Sequence, residues 1–346
     1  MTFKLHAGLG RFLLRALTGS PCLLLTTTKQ DAGILLSRSH PCLMTDIKLF
    51  SIHEGMATSR PGATAVLEKS LQDLMERNLE VLLGVRFLAS EYSTGKVHGG
   101  RIDSLGIDEN GSPVIIEYKR STNENVINQG LFYLDWLMDH QAEFQLLVHT
   151  TLGQEEADAI EWASPRLLCI AGGFTRYDEH AVKQMNRNIE LIRYISFDAD
   201  LLLLELVNAT TASGVSSASP SSSANSKGSK CISDVLSQLS GDLQDRYDAV
   251  REFATALGDD VQQKALKHYI AFKRLKNFLC VEVHPSLSTV TCYLKIDPDQ
   301  ITLEEGFTRD VRNVGHFGTG ELEVKLRSRL DFERAKQLIE QSYENS

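Results

Sequence analysis

The chain has 346 residues, 42% of them hydrophobic and 23% charged, with a formal net charge of −9. That length holds two ordinary domains or one large one, and the composition is globular, neither disordered nor fibrous. The acidic total excludes a protein coated all over in basic surface for gripping a nucleic-acid backbone, but leaves a local basic patch open. The six cysteines (Cys22, Cys42, Cys169, Cys231, Cys280 and Cys292) form no CxxC and no zinc-spaced Cys/His cluster. They are expected to be buried thiols of a cytoplasmic protein. No run of about 18 apolar residues is present, so no membrane-spanning helix and no membrane partner are expected.

The first 43 residues carry Lys4, Arg11, Arg15, Lys29 and Arg38 against Asp31 alone, a net of +4 that leaves −13 for the rest. Their apolar run, Cys22-Leu23-Leu24-Leu25, is too short for a signal peptide, and no small-x-small cleavage site follows it. Residues 1–43 are therefore expected to be a non-native or disordered extension, with Met44 as the native start. A second break lies at 209–230, where nine serines stand with Gly214, Pro220 and Gly228. Such a stretch buries too little apolar surface to fold. The expected division is a domain over 44–207, a serine-rich linker over 208–230 and a smaller domain over 231–346.

Leu67, Leu71, Leu74 and Leu82 fall at helical spacing and predict a helix over 63–83. Strand-like runs follow at 85–92, 100–108 and 113–120. Helical periodicity returns over 123–138, with Asn123 as N-cap. Next come a strand at 144–149, a helix at 154–162, a strand at 166–171, a helix at 178–188 and a strand at 189–197. The order α-β-β-β-α-β predicts an α/β fold with a mixed central sheet flanked by helices. In the second domain, helices are expected at 243–257 and 261–275, strands at 278–284, 289–296 and 321–326, and a closing helix over 331–343. That is a smaller α+β domain.

One segment carries chemistry: Gly100-Arg101-Ile102-Asp103, then Asn110-Gly111, then Val114-Ile115-Ile116-Glu117-Tyr118-Lys119-Arg120. Glu117 and Lys119 share a strand face by alternation. A two-residue turn would set Asp103 opposite Tyr118, on the wrong face. An odd loop, such as Glu109–Gly111 with Gly111 in the left-handed conformation, sets it opposite Glu117. Two carboxylates so close repel unless a cation sits between them. Oxygen ligands favour Mg²⁺ or Mn²⁺. Such an ion held by Asp103 and Glu117 would polarise a phosphodiester and acidify a bound water, with Lys119 steadying charge on the phosphate. The same residues also suit an ordinary ion pair of Glu117 with Lys119 or Arg120.

Asp103, a gap of fourteen and Glu117-x-Lys119 at the end of an apolar strand resemble the PD-(D/E)XK nuclease superfamily. Gly100–Asp103 and Ile115–Arg120 resemble in particular its NucS/EndoMS-like branch of DNA endonucleases. The resemblance covers about 65–150 and implies a restriction-endonuclease-like αβββαβ core. It adds Glu68 on the preceding helix, and Gln129 and Tyr133 on the following one, as site residues. Their i,i+4 spacing puts the latter two on one helical face. Glu76 and Glu80 are rival helix acids or solvated residues. Arg101 and Arg120 would meet the phosphate. Lys96 and His98 either touch phosphate or lie in a solvated loop. Nothing before the helix resembles the separate N-terminal DNA-binding domain of that branch. Nucleases of this fold commonly act as dimers, so a homodimer is allowed.

The second domain resembles the family DUF5655, sometimes labelled a transport protein, through 269–278, Phe307–Asp310 and Gly315–Gly320. Lys273, Arg274 and Lys276, interleaved with Tyr269, Phe272 and Phe278, would bind phosphates and stack bases, or else form the solvated face of an amphipathic helix. Gly315–Gly320 is a phosphate cradle or a plain turn. His316 has no nucleophile partner in sequence and is not assigned a catalytic role. The expected function is a Mg²⁺-dependent endodeoxyribonuclease, with Asp103, Glu117, Lys119, Glu68 and Gln129 as catalytic residues and nucleic acid, DNA foremost, as partner. The alternatives are a catalytically inactive nucleic-acid-binding or regulatory protein on the same fold, and a transport-associated accessory protein.

Overall fold

The computed structural model describes residues 47–64, 67–120, 125–198, 200–212 and 231–346. The extension over 1–43, Met44, Asn123 and most of the serine-rich segment lie outside them. The chain divides into two compact units. One holds the residues up to Ala63 with Phe197–Leu201; the other holds Thr64–Ser196 and Leu202–Ser346. The first contains the antiparallel pair β1 (Leu49–His53) and β2 (Met56–Arg60), then β3 (Gly62–Ala63), with Arg60 ion-paired to Asp198. The sequence reading missed these strands.

The second unit opens with α1 (Glu68–Glu76) and α2 (Leu79–Leu83), one predicted helix split in two. β4 (Val85–Ser93), the short α3 (Gly95–His98), β5 (Arg101–Asp108) and β6 (Pro113–Lys119) follow. Then come α4 (Val126–Asp139), α5 (Gln141–Leu152), α6 (Gln154–Asp158), β7 (Arg166–Ala171), α7 (Arg176–Lys183), β8 (Asn188–Phe197) and β9 (Leu201–Thr210). The strands lie in the order β4-β5-β6-β7-β8, with β9 also on β8. β4, β5 and β6 run antiparallel, whereas β6, β7 and β8 run parallel, so the central sheet is mixed as expected.

Alternation along β6 explains its apolar run. Ile115 faces the cluster built on Leu134, Trp136, Leu137 and Phe144 of α4 and α5. Val114, Ile116 and Tyr118 face the cluster built on Leu71, Met75, Leu79 and Leu83 of α1 and α2. A strand covered on both faces needs no polar alternation.

Some expectations need correction. Residues 144–149 are helical, not a strand: Phe144 and Val148, four apart, are the buried positions of α5. A short apolar run does not distinguish the two periods. The N-cap of α4 is Asn125. β9 continues to Thr210, past the expected boundary at 207.

The C-terminal part holds α8 (Ile232–Ser237), α9 (Gly241–Ala256), β10 (Gln262–Ala265), β11 (Ile270–Lys273), β12 (Asn277–His284), β13 (Thr289–Leu294), β14 (Thr308–Asp310), β15 (Leu322–Leu326) and α10 (Arg329–Glu344). Its strands lie in the order β10-β11-β12-β13-β15-β14. The helix expected over 261–275 is instead the hairpin β10–β11. Ile270 and Phe272 face the main C-terminal core, while Ala271 joins Tyr269 and Cys280 on the opposite face. That is a period of two, hidden because both faces are buried. Cys169, Cys280 and Cys292 are buried free thiols, and Cys231 is a half-buried one. Among the described residues no helix is long and apolar enough to cross a membrane.

Candidate active site

The β5–β6 turn sets the site. Asp108 N–H donates to the Ser112 carbonyl (2.9 Å), and Gly111 N–H donates back to the Asp108 carbonyl (3.0 Å), closing a loop over 109–111. Gly111 has φ +77°, and a Cβ there would come 2.9 Å from the Ala159 carbonyl oxygen. A residue with a side chain fits neither the angle nor the space. The loop is odd, as the parity argument required. Ile107 pairs with Pro113, Leu105 with Ile115 and Ser104 with Ile116, so Asp103 comes next to Glu117.

The two acids are bonded crosswise to each other's strands. Asp103 N–H donates to Glu117 Oε1 (3.2 Å), and Tyr118 N–H donates to Asp103 Oδ2 (2.9 Å). Glu117 is fully buried, and its Oε2 has no hydrogen-bond partner. Burial, and then the charge of Asp103, push the Glu117 carboxyl up to about 9. Burial also raises Asp103, against the opposing pull of the Tyr118 N–H. A buried, unpartnered carboxylate oxygen costs a few kcal/mol unless a proton or a cation satisfies it.

Lys119 closes one side. Its Nζ lies 3.0 Å from Glu68 Oε1, at the start of α1. Burial is the largest single influence and would lower the Lys119 ammonium, but the hydrogen bond to Glu68 and the charges of Asp103, Glu68 and Glu117 together hold the group above its usual value. Lys119 therefore stays charged and is unsuited to act as a base. Four residues after Glu68, on the same face of α1, Gln72 donates to the Asp103 carbonyl (2.7 Å). Gln72 also bonds Glu76 (2.9 Å), which accepts from Ser104 Oγ (2.6 Å). Glu76 is thus a support of the hairpin's other face, and Glu80 is exposed. The support from Gln72 escaped the sequence reading, although its i,i+4 spacing from Glu68 was the available signal.

Across the hairpin, Tyr133 accepts a hydrogen bond from Arg101 N–H (3.2 Å), and Gln129 Nε2 lies 3.4 Å from the same hydroxyl. A Cβ at Gly100 would sit 2.6 Å from the Tyr133 ring. Gly100→Ala is therefore expected to displace the ring, break its bond to Arg101 N–H and cost about 1–3 kcal/mol in urea denaturation. The guanidinium of Arg101 is exposed and 3.7 Å from Glu91; Arg120 is exposed. His98 packs on Phe132 and His140 (5.2 and 5.7 Å between ring centres), and Lys96 is exposed.

The C-terminal basic residues lie elsewhere, taken up by protein partners. Lys273 is 4% exposed, with its ammonium 2.7 Å from Glu190 Oε1. Arg274 pairs with Asp260 (2.8 Å) over the Tyr343 ring, and Lys276 donates to the Val81 carbonyl (2.9 Å). Tyr269, Phe272 and Phe278 are buried and offer no stacking platform. In the glycine-rich turn, Gly318 and Gly320 lie against Cys280 and the Leu294 backbone, which explains their small size without a ligand. His316 stacks on Tyr293 at 4.3 Å between ring centres.

Residues 232–346 match a family model described as a domain of unknown function (DUF5655). The chain as a whole is similar to an uncharacterised protein of Haemophilus influenzae, 27% identical over 306 residues, which take in 86% of this chain and 99% of that one. Among solved structures, a repair endonuclease from Pyrococcus abyssi is 18% identical, covering 37% of this chain and 48% of its own, with a TM-score of 0.25. An EndoMS–double-stranded DNA complex is 20% identical over 36% of this chain and 44% of its own, with a TM-score of 0.22. The chain spans about half the length of these two structures.

Proposed function

We propose that this protein is a divalent-metal-dependent endonuclease acting on DNA, with its site at the carboxyl end of β6. The observation that carries this reading is the buried, unpartnered Oε2 of Glu117 beside Asp103 on the paired strand. The donor set is all oxygen, which suits Mg²⁺ or Mn²⁺. Among the described residues no third His, Cys, Asp or Glu joins a metal-holding group. Mg²⁺ is commonly held by one or two carboxylates, with water and substrate phosphate completing the shell. Asp103 and Glu117 would hold the ion, which when bound supplies a polarised phosphate and a more acidic water.

The remaining work falls to the protein. Glu117, pushed up to about 9 by burial and by Asp103, would carry a proton without a cation and would have to give it up to hold one. Lys119, kept charged by Glu68, faces the negative charge that develops on the phosphate. Arg101, exposed beside Glu91, and the exposed Arg120 would meet the backbone phosphates, and Gln129 with Tyr133 fixes the strand on which Arg101 and Asp103 lie. Glu68 orients Lys119.

The test is Mg²⁺- or Mn²⁺-dependent cleavage of single-stranded, duplex and branched DNA, and of RNA, by the wild type, Asp103→Ala and Lys119→Ala. Cleavage of DNA that both substitutions abolish supports the proposal. Binding without cleavage across the panel overturns it in favour of an inactive nucleic-acid-binding protein; neither binding nor cleavage points to an accessory role.

A further inference from the structure

The parallel strands place Glu117 and Lys119 at one end of the sheet. At the other end, the β5–β6 turn and the starts of β7 and β8 meet side chains from the C-terminal domain. Asn110, at the turn, accepts hydrogen bonds on one oxygen from Tyr269 OH (2.9 Å) and Asn277 Nδ2 (2.8 Å). Asn277 N–H donates to Glu109 Oε2 (2.9 Å), Lys295 ion-pairs with Glu109, and Lys264 donates to Ser112 Oγ (2.8 Å). Every residue of the turn except the glycine, which lies against Ala159, is thus held from the C-terminal side.

Charge supports the same conclusion. Arg166 on β7 pairs with Asp108 (2.9 Å) and, through two nitrogens, with Glu190 on β8 (2.9 Å each). These three residues are buried and carry one net negative charge. Lys273 of β11 reaches Glu190 and neutralises it. In the assembled chain, losing Lys273 would leave this buried group with a carboxylate short of compensation, at a cost of several kcal/mol.

We propose that residues 231–346 act as a clamp on the β5–β6 hairpin, with Lys273 and Asn277 as positioning residues for Asp103 and Glu117. The clamp holds the turn, and the ladder carries that register to the acids, since a slip of one residue would turn their side chains to the opposite face. This rests on the proposed site only in naming what is positioned.

The experiment uses the full chain with a specific protease site inserted in the serine-rich segment. After cutting, the wild-type halves are expected to co-elute in gel filtration. Lys273→Met is expected to weaken their association at least tenfold, and Lys273→Arg to restore most of it. In the uncut protein, amide hydrogen exchange at Asp103 and Tyr118 should accelerate at least tenfold in Asn277→Ala, while the amides of Ile192 in β8 and Leu134 in α4 keep their rates. Separation of the wild-type halves on cutting, or unchanged hairpin exchange in Asn277→Ala, would overturn the clamp. Uniform acceleration at all four residues would overturn the positioning role. Neither readout uses nuclease activity, so an inactive protein with a clamped hairpin would remove only the nuclease reading.

Discussion

Glu117→Gln is expected to abolish metal-dependent cleavage and to flatten the pH dependence of stability. The carboxyl ordinarily titrates near 4.5 and is pushed up to about 9 in the fold by burial and by Asp103. Between those values the folded state keeps a proton that the unfolded state loses. Stability from this group is therefore full below pH 4.5 and is lost as pH rises toward about 9. The ideal slope is about 1.4 kcal/mol per pH unit. Urea denaturation of the metal-free protein from pH 5 to 9 should show the wild type falling relative to Glu117→Gln across that range. A constant offset between the two would reflect the amide's own fit and leave the slope as the diagnostic. Parallel curves would mean that Glu117 is not held protonated. In cleavage assays the same variant should lose more than about a hundredfold, the upper end of what even supporting partners of a metal site cost.

Arg166→Met is expected to be the most destabilising single change among the charged residues discussed. Arg166 is 4% exposed and holds both Asp108 and Glu190. Burial would raise both acids, but the surrounding cations reverse this: Lys264, Arg166 and Lys273 for Asp108, and Arg166 and Lys273 for Glu190, which is brought to about 2. Removing the guanidinium leaves two buried carboxylates with diminished compensation, a loss of about 3–5 kcal/mol. These depressed acids stabilise the fold above their ordinary values, and that stability is lost as pH falls toward about 2. The acid limb of the wild type should therefore begin below pH 4.5, whereas Arg166→Met should already be weakened at neutral pH. Adding Glu190→Gln to Arg166→Met should recover part of the loss, because the second buried charge is then gone. A single-variant cost under about 1 kcal/mol, the scale of an exposed pair, would show the cluster to be solvated.

What the sequence disclosed depended on whether the chemistry was local. The acid hairpin was legible because strand alternation and the odd turn around Gly111 fix Asp103 against Glu117 over a few residues. Glu68 and Tyr133 followed only from resemblance, because their contacts with Lys119 and Arg101 span 51 and 32 residues. The β10–β11 hairpin read as a helix, since β11, buried on both faces, loses the alternation that identifies a strand, and β10 is only four residues long. That error gave Lys273 and its neighbours a solvent-facing role, when their partners are an acid on β8, Asp260 and a carbonyl of α2. No pattern in 261–275 points to Glu190, 83 residues before Lys273. Arg166 and Asp108 lie at strand ends, where a charge gives no sign of being buried.

The central claim is that Asp103 and Glu117 form a divalent-cation site whose second acid must give up a proton to bind. The most direct measurement is Mn²⁺ affinity against pH, read from free Mn²⁺ by electron paramagnetic resonance, for the wild type and Glu117→Gln. The site predicts affinity rising close to tenfold per pH unit between about pH 6 and 8 in the wild type, with weak, pH-independent binding in Glu117→Gln. Equal affinity in the two proteins, or no pH dependence in the wild type, would contradict it.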